Sequence, residues 1–409
     1  MFSASIWGKV FLRVYDIRRH QYIEGFGGSV TDAASINWRK LSDRTQINFI
    51  DSYFGKEGLE YNLIRVPIGG ADFSTHPYTY NELPWNDGAL SNFSLSKEDY
   101  FYKIKVTAST WSPPVWMKTN ERITGFGQLK PEFYQAYADY HLRFIEEYKR
   151  AEVDIWAVTT TNEPINGVIP FVRFNSLGWF PHDMGRWVAE NLGPTIKNSR
   201  FNKTLILAVD DQRYLLPFYL RGMELGNPNF INYIDGIAIH YYGNFIPAQI
   251  LTAIQERYPN KILLSTEACE GKIHYNLMCT DITLHNRLKR RYIKIQNLNH
   301  DLNNYVVGWI DWNLCLSETG GPNWADNFVD APILVFPERD EFIKQPMFYA
   351  MGHFSKFIPR GSQRIMSERR SLITVKNLAV DVRIRISATR FIELTMEPQS
   401  IKTVEINRN

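Results

Sequence analysis

The chain has 409 residues, 44% of them hydrophobic and 22% charged, the balance of a globular protein with one large core and room for a smaller module. A formal net charge of +3 is too mild for a nucleic-acid footprint and is compatible with approach to an anionic membrane surface. Three cysteines, Cys269, Cys279 and Cys315, form no CxxC pair, which argues against a disulfide framework or a zinc centre, and no apolar run reaches the length of a membrane-crossing helix.

Met1 to Val14 carries Lys9 and Arg13 and shows no cleavage site, so it is not read as a signal peptide. Residues 1–24 alternate loosely and predict strands of a sheet outside the main core. Gly25-Phe26-Gly27-Gly28 allows a tight turn out of a short strand, and Thr31 or Asp32 caps a helix starting at Ala33. The third glycine of a dinucleotide fingerprint is missing. Ser42 caps a helix over 42–54, and Asn62 to Pro67 reads as a buried strand carrying Arg65. A polar, aromatic loop containing Asp72 follows, and within it Asn92-Phe93-Ser94 is a sequon, as is Asn202-Lys203-Thr204 further on. Both suit glycosylation of a secreted protein.

Val106 to Thr110 predicts a short strand running into Trp111-Ser112-Pro113-Pro114, and apolar spacing predicts a helix over 131–149. The strand Ile155–Val158 ends in Thr159-Thr160-Thr161-Asn162-Glu163-Pro164. The rhythm then repeats: helix 183–199, strand 205–209 ending in Asp210-Asp211, helix from Leu215, strand 236–239 ending in His240-Tyr241-Tyr242, helix 247–257. Strand 262–266 ends in Glu267, a helix covers 281–303 with a basic run at Arg287–Arg291 that suits a solvated face, and strand 306–310 ends in Asp311-Trp312-Asn313. Close to eight strands alternating with helices, with polar residues at their C-terminal ends, predict an α/β protein built on a (β/α)8 barrel. From about 363 the pattern changes to alternation at 372–375, 380–386, 391–394 and 403–406. The expected organisation is a barrel over 25–362 and a small antiparallel β-domain built from both termini, 1–24 and 363–409.

Two glutamates at two strand ends are what glycoside hydrolysis with retention needs, about 5 Å apart. Glu163 suits the acid/base, in an environment that keeps it protonated until the intermediate forms. Glu267 suits the nucleophile, with Arg65 lowering its pKa and Tyr242 orienting it by a hydrogen bond. Asn162 suits a sugar hydroxyl. Each residue has a plainer reading: Asn-Glu-Pro as a helix cap, Glu267 as ion-pair partner of Arg65, Asp72 as a loop cap, Trp111 and Trp312 as core, His240 as a hydrogen-bonded scaffold, Cys269 as a small buried wall.

The motifs Gly25-Phe26-Gly27-Gly28, Ile64-Arg65-Val66-Pro67, Asn162-Glu163-Pro164, Asp210-Asp211-Gln212-Arg213, Glu267-Ala268-Cys269, Asp311-Trp312-Asn313-Leu314, Gly320-Gly321-Pro322-Asn323-Trp324 and Gln345-Pro346-Met347-Phe348-Tyr349 carry more than the carboxylates alone. Over about 24–365 the chain resembles the lysosomal glucosylceramidases (acid β-glucocerebrosidases) of glycoside hydrolase family 30. The resemblance implies cleavage of β-glucosylceramide to glucose and ceramide with retention, at the lumenal face of a lysosomal membrane. It implies Glu163 as acid/base and Glu267 as nucleophile, with Asp72, Trp111, Asn162, Trp312 and Asn327 around the glucose and Tyr242 beside the nucleophile. It implies no metal or organic cofactor, a glycolipid substrate, and help from a saposin-type activator and anionic lipid.

Three departures from that family stand out. Its full helix and longer third strand face a short passage here from Lys97 to Trp111, where only 91–104 can supply the crossover. The sequence leaves open whether that segment serves, whether the barrel is broken there, or whether residues of the second helix and third strand are missing. The β-module is thin between Ile365 and Ser371, and the family's Cys-rich N-terminal segment and leader have no counterpart. Alternative readings are a family 30 enzyme for another β-glycoside, or a folding-impaired, inactive relative that only binds glycolipid.

Overall fold

The computed structural model describes residues 9–96, 105–269, 284–327, 329–370, 380–385, 391–396 and 404. A 14-residue strand, β1 (Lys9–Tyr22), opens it. Eight parallel strands then close a barrel in sequence order: β2 (Gly25–Ser29), β3 (Leu63–Ile68), β4 (Lys105–Thr110), β5 (Ile155–Thr159), β6 (Leu205–Gln212), β7 (Gly236–His240), β8 (Ile262–Glu267) and β9 (Val306–Asp311), which pairs back onto β2. The glycines expected to make a turn are themselves a barrel strand. A Cβ on Gly27 would lie 1.8 Å from the Leu63 carbonyl oxygen, so only glycine lets β2 approach β3 this closely.

Helices separate most of the strands, among them Asp43–Phe54, Tyr134–Arg150, Leu216–Gly226, Gln249–Arg257 and Leu284–Asn303. Ser42 Oγ accepts from Thr45 N as the expected cap of Asp43–Phe54. The single helix expected over 183–199 is instead Pro181–Trp187, a π turn at Val188–Leu192 and Gly193–Lys197. Pro194 has no N–H to return to the preceding turn, which the wider π spacing accommodates. Between Ile68 and Lys105 the described residues hold no helix, and 97–104 lie outside them. The barrel is nonetheless unbroken there: β3 and β4 pair residue for residue from Leu63↔Lys105 to Ile68↔Thr110.

The strands alternate between two apolar layers. Leu63, Ala157, Leu207, Ala238, Leu264, Val307 and Ile310 fill the barrel interior, while Ile64, Val158, Ile206, Ala208 and Ile237 face the helices in the main core. Two positions further along the inward-facing rows stand Arg65, Thr159, His240 and Thr266, all buried. The interior thus changes from apolar to polar toward the C-terminal ends of the strands, the end at which barrel sites are built.

Beyond β9 lies a small sheet that the sequence does not announce: β10 (Cys315–Ser317), β11 (Ile333–Phe336) and β12 (Glu341–Lys344), followed by the helix Pro346–Ser355. A separate sheet joins the termini, with β13 (Gln363–Arg370), β14 (Val380–Arg385) and β15 (Phe391–Met396) in the order β13-β1-β14-β15. Its β1–β13 and β14–β15 ladders are antiparallel, and β1–β14 is parallel. The strand expected at 372–375 lies outside the described residues, as does all but Val404 of that expected at 403–406, and so does Cys279. Gln21 Nε2 fastens this sheet to the barrel by donating to the carbonyls of Leu302 at 2.6 Å and Val306 at 3.1 Å.

Candidate active site

Glu163 follows β5 with φ +41°. Asn162 N donates to Thr110 O at 2.8 Å and Glu163 N to Asp210 O at 3.0 Å, so neighbouring strands hold this turn from both sides. The Glu163 carboxylate accepts from Asn166 Nδ2 at 2.5 Å on one oxygen and from Gln212 Nε2 at 2.8 Å on the other, which also faces His240 Nδ1 at 2.9 Å. Glu267 ends β8. Arg65 Nη1 donates to its Oε2 at 2.5 Å and the Tyr242 hydroxyl to its Oε1 at 2.8 Å. One oxygen of each glutamate and a ring nitrogen of His240 lie within 4.8 Å of one another. That spacing would also bracket a cation, but both ring nitrogens and all four carboxylate oxygens already face protein groups.

The centre is densely charged. Burial opposes protonation of His240, but Glu267 and Asp210 outweigh it and hold the ring up at about 10, so the imidazolium donates from both nitrogens. Burial pushes Glu267 up, and it outweighs the opposing pull of His240, Arg65 and the Tyr242 hydrogen bond. Arg65 therefore acts in the expected direction without setting the net shift, because taking a carboxylate fully out of water costs more than one guanidinium returns. Asp211, also buried, is pushed up to about 8 by burial first and the Glu163 charge next.

Asp72 accepts from Asn327 Nδ2 at 2.7 Å on Oδ2, while its buried Oδ1 has no hydrogen-bond partner among the described residues. Burial, reinforced by Glu267 and Glu163, pushes it up to about 7. A buried acceptor left open beside the two glutamates is a place for a ligand hydroxyl. Trp111 and Trp312 stack at 5.2 Å between ring centroids and 21° between planes, with the Arg65 guanidinium carbon 4.8 Å from the Trp111 ring centre. They pack with Ala71, Phe73 and Cys269, and Tyr242 lies against that cluster. These aromatic rings are core, and they carry the Arg65 guanidinium on their faces.

The structure thus gathers Arg65, Asn162, Glu163, His240, Tyr242 and Glu267 into one hydrogen-bonded centre, since Asn162 Oδ1 accepts from Arg65 Nη2 at 2.7 Å. Asp72, Asn327, Trp111 and Trp312 line its side. Asn92 and Asn202 are exposed; Asn92 Nδ2 donates to Leu83 O, and Asn202 lines a groove with Lys105, Lys149 and Trp156. Sequence reasoning gave no role to Asn166, Gln212 or Asp210, although the Asp210-Asp211-Gln212 cluster at a strand end was a visible signal.

Residues 23–358 match the glycosyl hydrolase family 30 TIM-barrel domain. The chain belongs to glycoside hydrolase family 30. This family 30 chain is 40% identical over 387 residues to the lysosomal acid glucosylceramidase of Mus musculus, covering 89% of this chain and 74% of that one. It is 39% identical over 425 residues to putative glucosylceramidase 3 of Caenorhabditis elegans, covering 94% and 80%. The crystal structure of SrfJ from Salmonella typhimurium shares its fold with a TM-score of 0.83 at 23% identity, over 98% of this chain and 92% of that one. The chain is a glycosidase by family. Among the described residues no helix is long and apolar enough to cross a membrane.

Proposed function

We propose that this family 30 member is a retaining β-glucosidase that hydrolyses β-glucosylceramide to glucose and ceramide. The observation that carries the mechanism is the approach of one oxygen from each of Glu163 and Glu267 to within 4.8 Å. Retaining enzymes keep their carboxyl groups about 5–5.5 Å apart, whereas inverting ones need roughly 6.5–9.5 Å to admit a water. Glu267, aimed by Arg65 and Tyr242, attacks the anomeric carbon. Glu163 gives its proton to the departing oxygen, and a glucosyl ester forms on Glu267. Glu163 then takes a proton from water as the water attacks the anomeric carbon, and the Glu267 carboxylate leaves with a second inversion. In this reading Asp72 Oδ1 and Asn162 receive and position sugar hydroxyls against the Trp111–Trp312 wall, and no step draws on a cofactor.

The lipid substrate is supported by the names of the two relatives at about 40% identity. It is also supported by exposed aromatics on the loops after β5, β6 and β7: Phe171 is 80% exposed, Tyr214 43% and Phe245 73%. Tyr214 and Phe245 lie 6.0 Å apart. Exposed aromatics at the mouth suit contact with lipid chains. A lysosomal, lumenal setting, glycosylation at Asn92 and Asn202, and assistance from anionic lipid and a saposin-type activator belong to the same reading. The test is turnover of a fluorogenic β-glucoside and of glucosylceramide in vesicles at mildly acidic pH. Hydrolysis of both is expected, with the lipid faster when anionic lipid is present. Folded protein that turns over neither contradicts the reading, and turnover of the soluble glucoside alone contradicts its lipid part.

A further inference from the structure

We propose that Asp210 is the positioning residue that sets the separation of Glu163 and Glu267, one of its carboxylate oxygens serving each. The proposal rests on the two-glutamate reading above. Asp210 touches neither carboxylate. Its Oδ2 accepts from Arg65 Nη2 at 2.9 Å, and the other branch of that guanidinium holds Glu267 at 2.5 Å. Its Oδ1 accepts from His240 Nε2 at 3.1 Å, and the opposite ring nitrogen faces Glu163 at 2.9 Å. Both cations are rigid and planar, so fixing one edge fixes the other. Three hydroxyls lock the carboxylate itself: Ser109 at 2.9 Å and Thr159 at 2.8 Å on Oδ2, Thr266 at 2.6 Å on Oδ1.

The backbone is bent to make this possible. Along β6, Leu207 faces the barrel interior and Ala208 the helices. Strict alternation would turn Val209 inward and Asp210 outward. Instead Val209 joins the outer layer, the β6–β7 register slips between Val209↔Ala238 and Asp211↔Ile239, and Val209 and Asp210 take φ +76° and +58°. A β-branched residue at positive φ is strained, and the bulge brings Asp210 inward to the two cations.

Asp210→Asn keeps the shape of the side chain, but its amide cannot accept from both cations. On a fluorogenic β-glucoside kcat is expected to fall about a hundredfold, as losses of orienting carboxylates do, with KM within about threefold. The second readout is the His240 ring, followed by 15N NMR in wild type and variant. His240 faces Asp210 and Asp211 on β6, Glu163 after β5, Glu267 on β8 and Tyr242 on its own loop. Losing one of these anions moves its titration to lower pH. A kcat within about twofold of wild type, an unmoved His240 titration, or a loss that merely follows the folded fraction overturns the proposal. Should Asp210→Asn not fold, Thr266→Val removes one lock from Oδ1 and is expected to lower kcat about tenfold, and an unchanged kcat overturns it. If wild type hydrolyses nothing, the proposed function fails, while the His240 titrations in the two proteins still decide whether Asp210 holds the ring.

Discussion

Glu163 sits among Asn166, Gln212 and His240, whereas Glu267 is held by Arg65 and Tyr242. The two carboxyls therefore meet different surroundings across one gap. Glu267→Gln is expected to abolish turnover. Glu163→Gln is expected to slow glucosides with poor leaving groups far more than activated ones, which need no proton; equal slowing of both counts against its acid role. Asp72→Asn replaces the carboxyl whose Oδ1 is left open and is expected to lower kcat/KM about 10- to 100-fold, read from steady-state kinetics. Glu163, Glu267 and Tyr242 were legible because each stands at or just past a strand end, and Arg65 because it is a lone charge inside the apolar strand β3 (Leu63–Ile68). Asp210 was not, because alternation along β6 points it outward and only the bulge reverses that. The dominance of burial over Arg65 at Glu267 was equally hidden, since sequence gives the neighbour but not the depth.

At the scale of elements, most strands and the helix 42–54 could be read from apolar spacing and caps. β10, β11 and β12 could not: strands of three or four residues are too short to show a period. The β2 strand was hidden by its glycines, which read as a turn although they are there to let β3 approach. Gly27→Ala would drive a Cβ to 1.8 Å from Leu63 O, with backbone on the far side that cannot rotate away. The expected cost is about 3 kcal/mol or more, read as a lowered denaturant midpoint; a midpoint at the wild-type value would show that β2 and β3 can separate without loss. Thr31, which accepts from Ala34 N at 3.2 Å as N-cap, also donates to Asn313 Oδ1 at 2.7 Å. It thereby ties a helix start to the residue after Trp312.

For the molecule as a whole, the buried ionisable groups set a pH preference. Asp72 and Asp301 are pushed up to about 7 and Asp211 to about 8, each chiefly by burial. A folded-state value raised above the unfolded one, about 3.9, means stability present in acid and lost as pH rises through 7 to 8. His240, held up at about 10, contributes in the same sense above about 6.5. Burial lowers His141 to about 4 and Lys118 to about 7. Those two act oppositely: His141 adds stability between its folded value and about 6.5, Lys118 between its folded value and about 10.4. Between pH 5 and 8 the three carboxyls and His240 prevail, so Tm is expected to fall by several degrees over that range. A Tm that rises instead would show that the carboxyls are not buried as described.

The closest test of the paired-carboxylate account is the anomer first released from a β-glucoside, followed by proton NMR before mutarotation. Two carboxyls as close as Glu163 and Glu267, working as nucleophile and acid/base, predict β-glucose as the first product. α-Glucose appearing first would mean that water attacks directly, and would contradict the roles given to both residues.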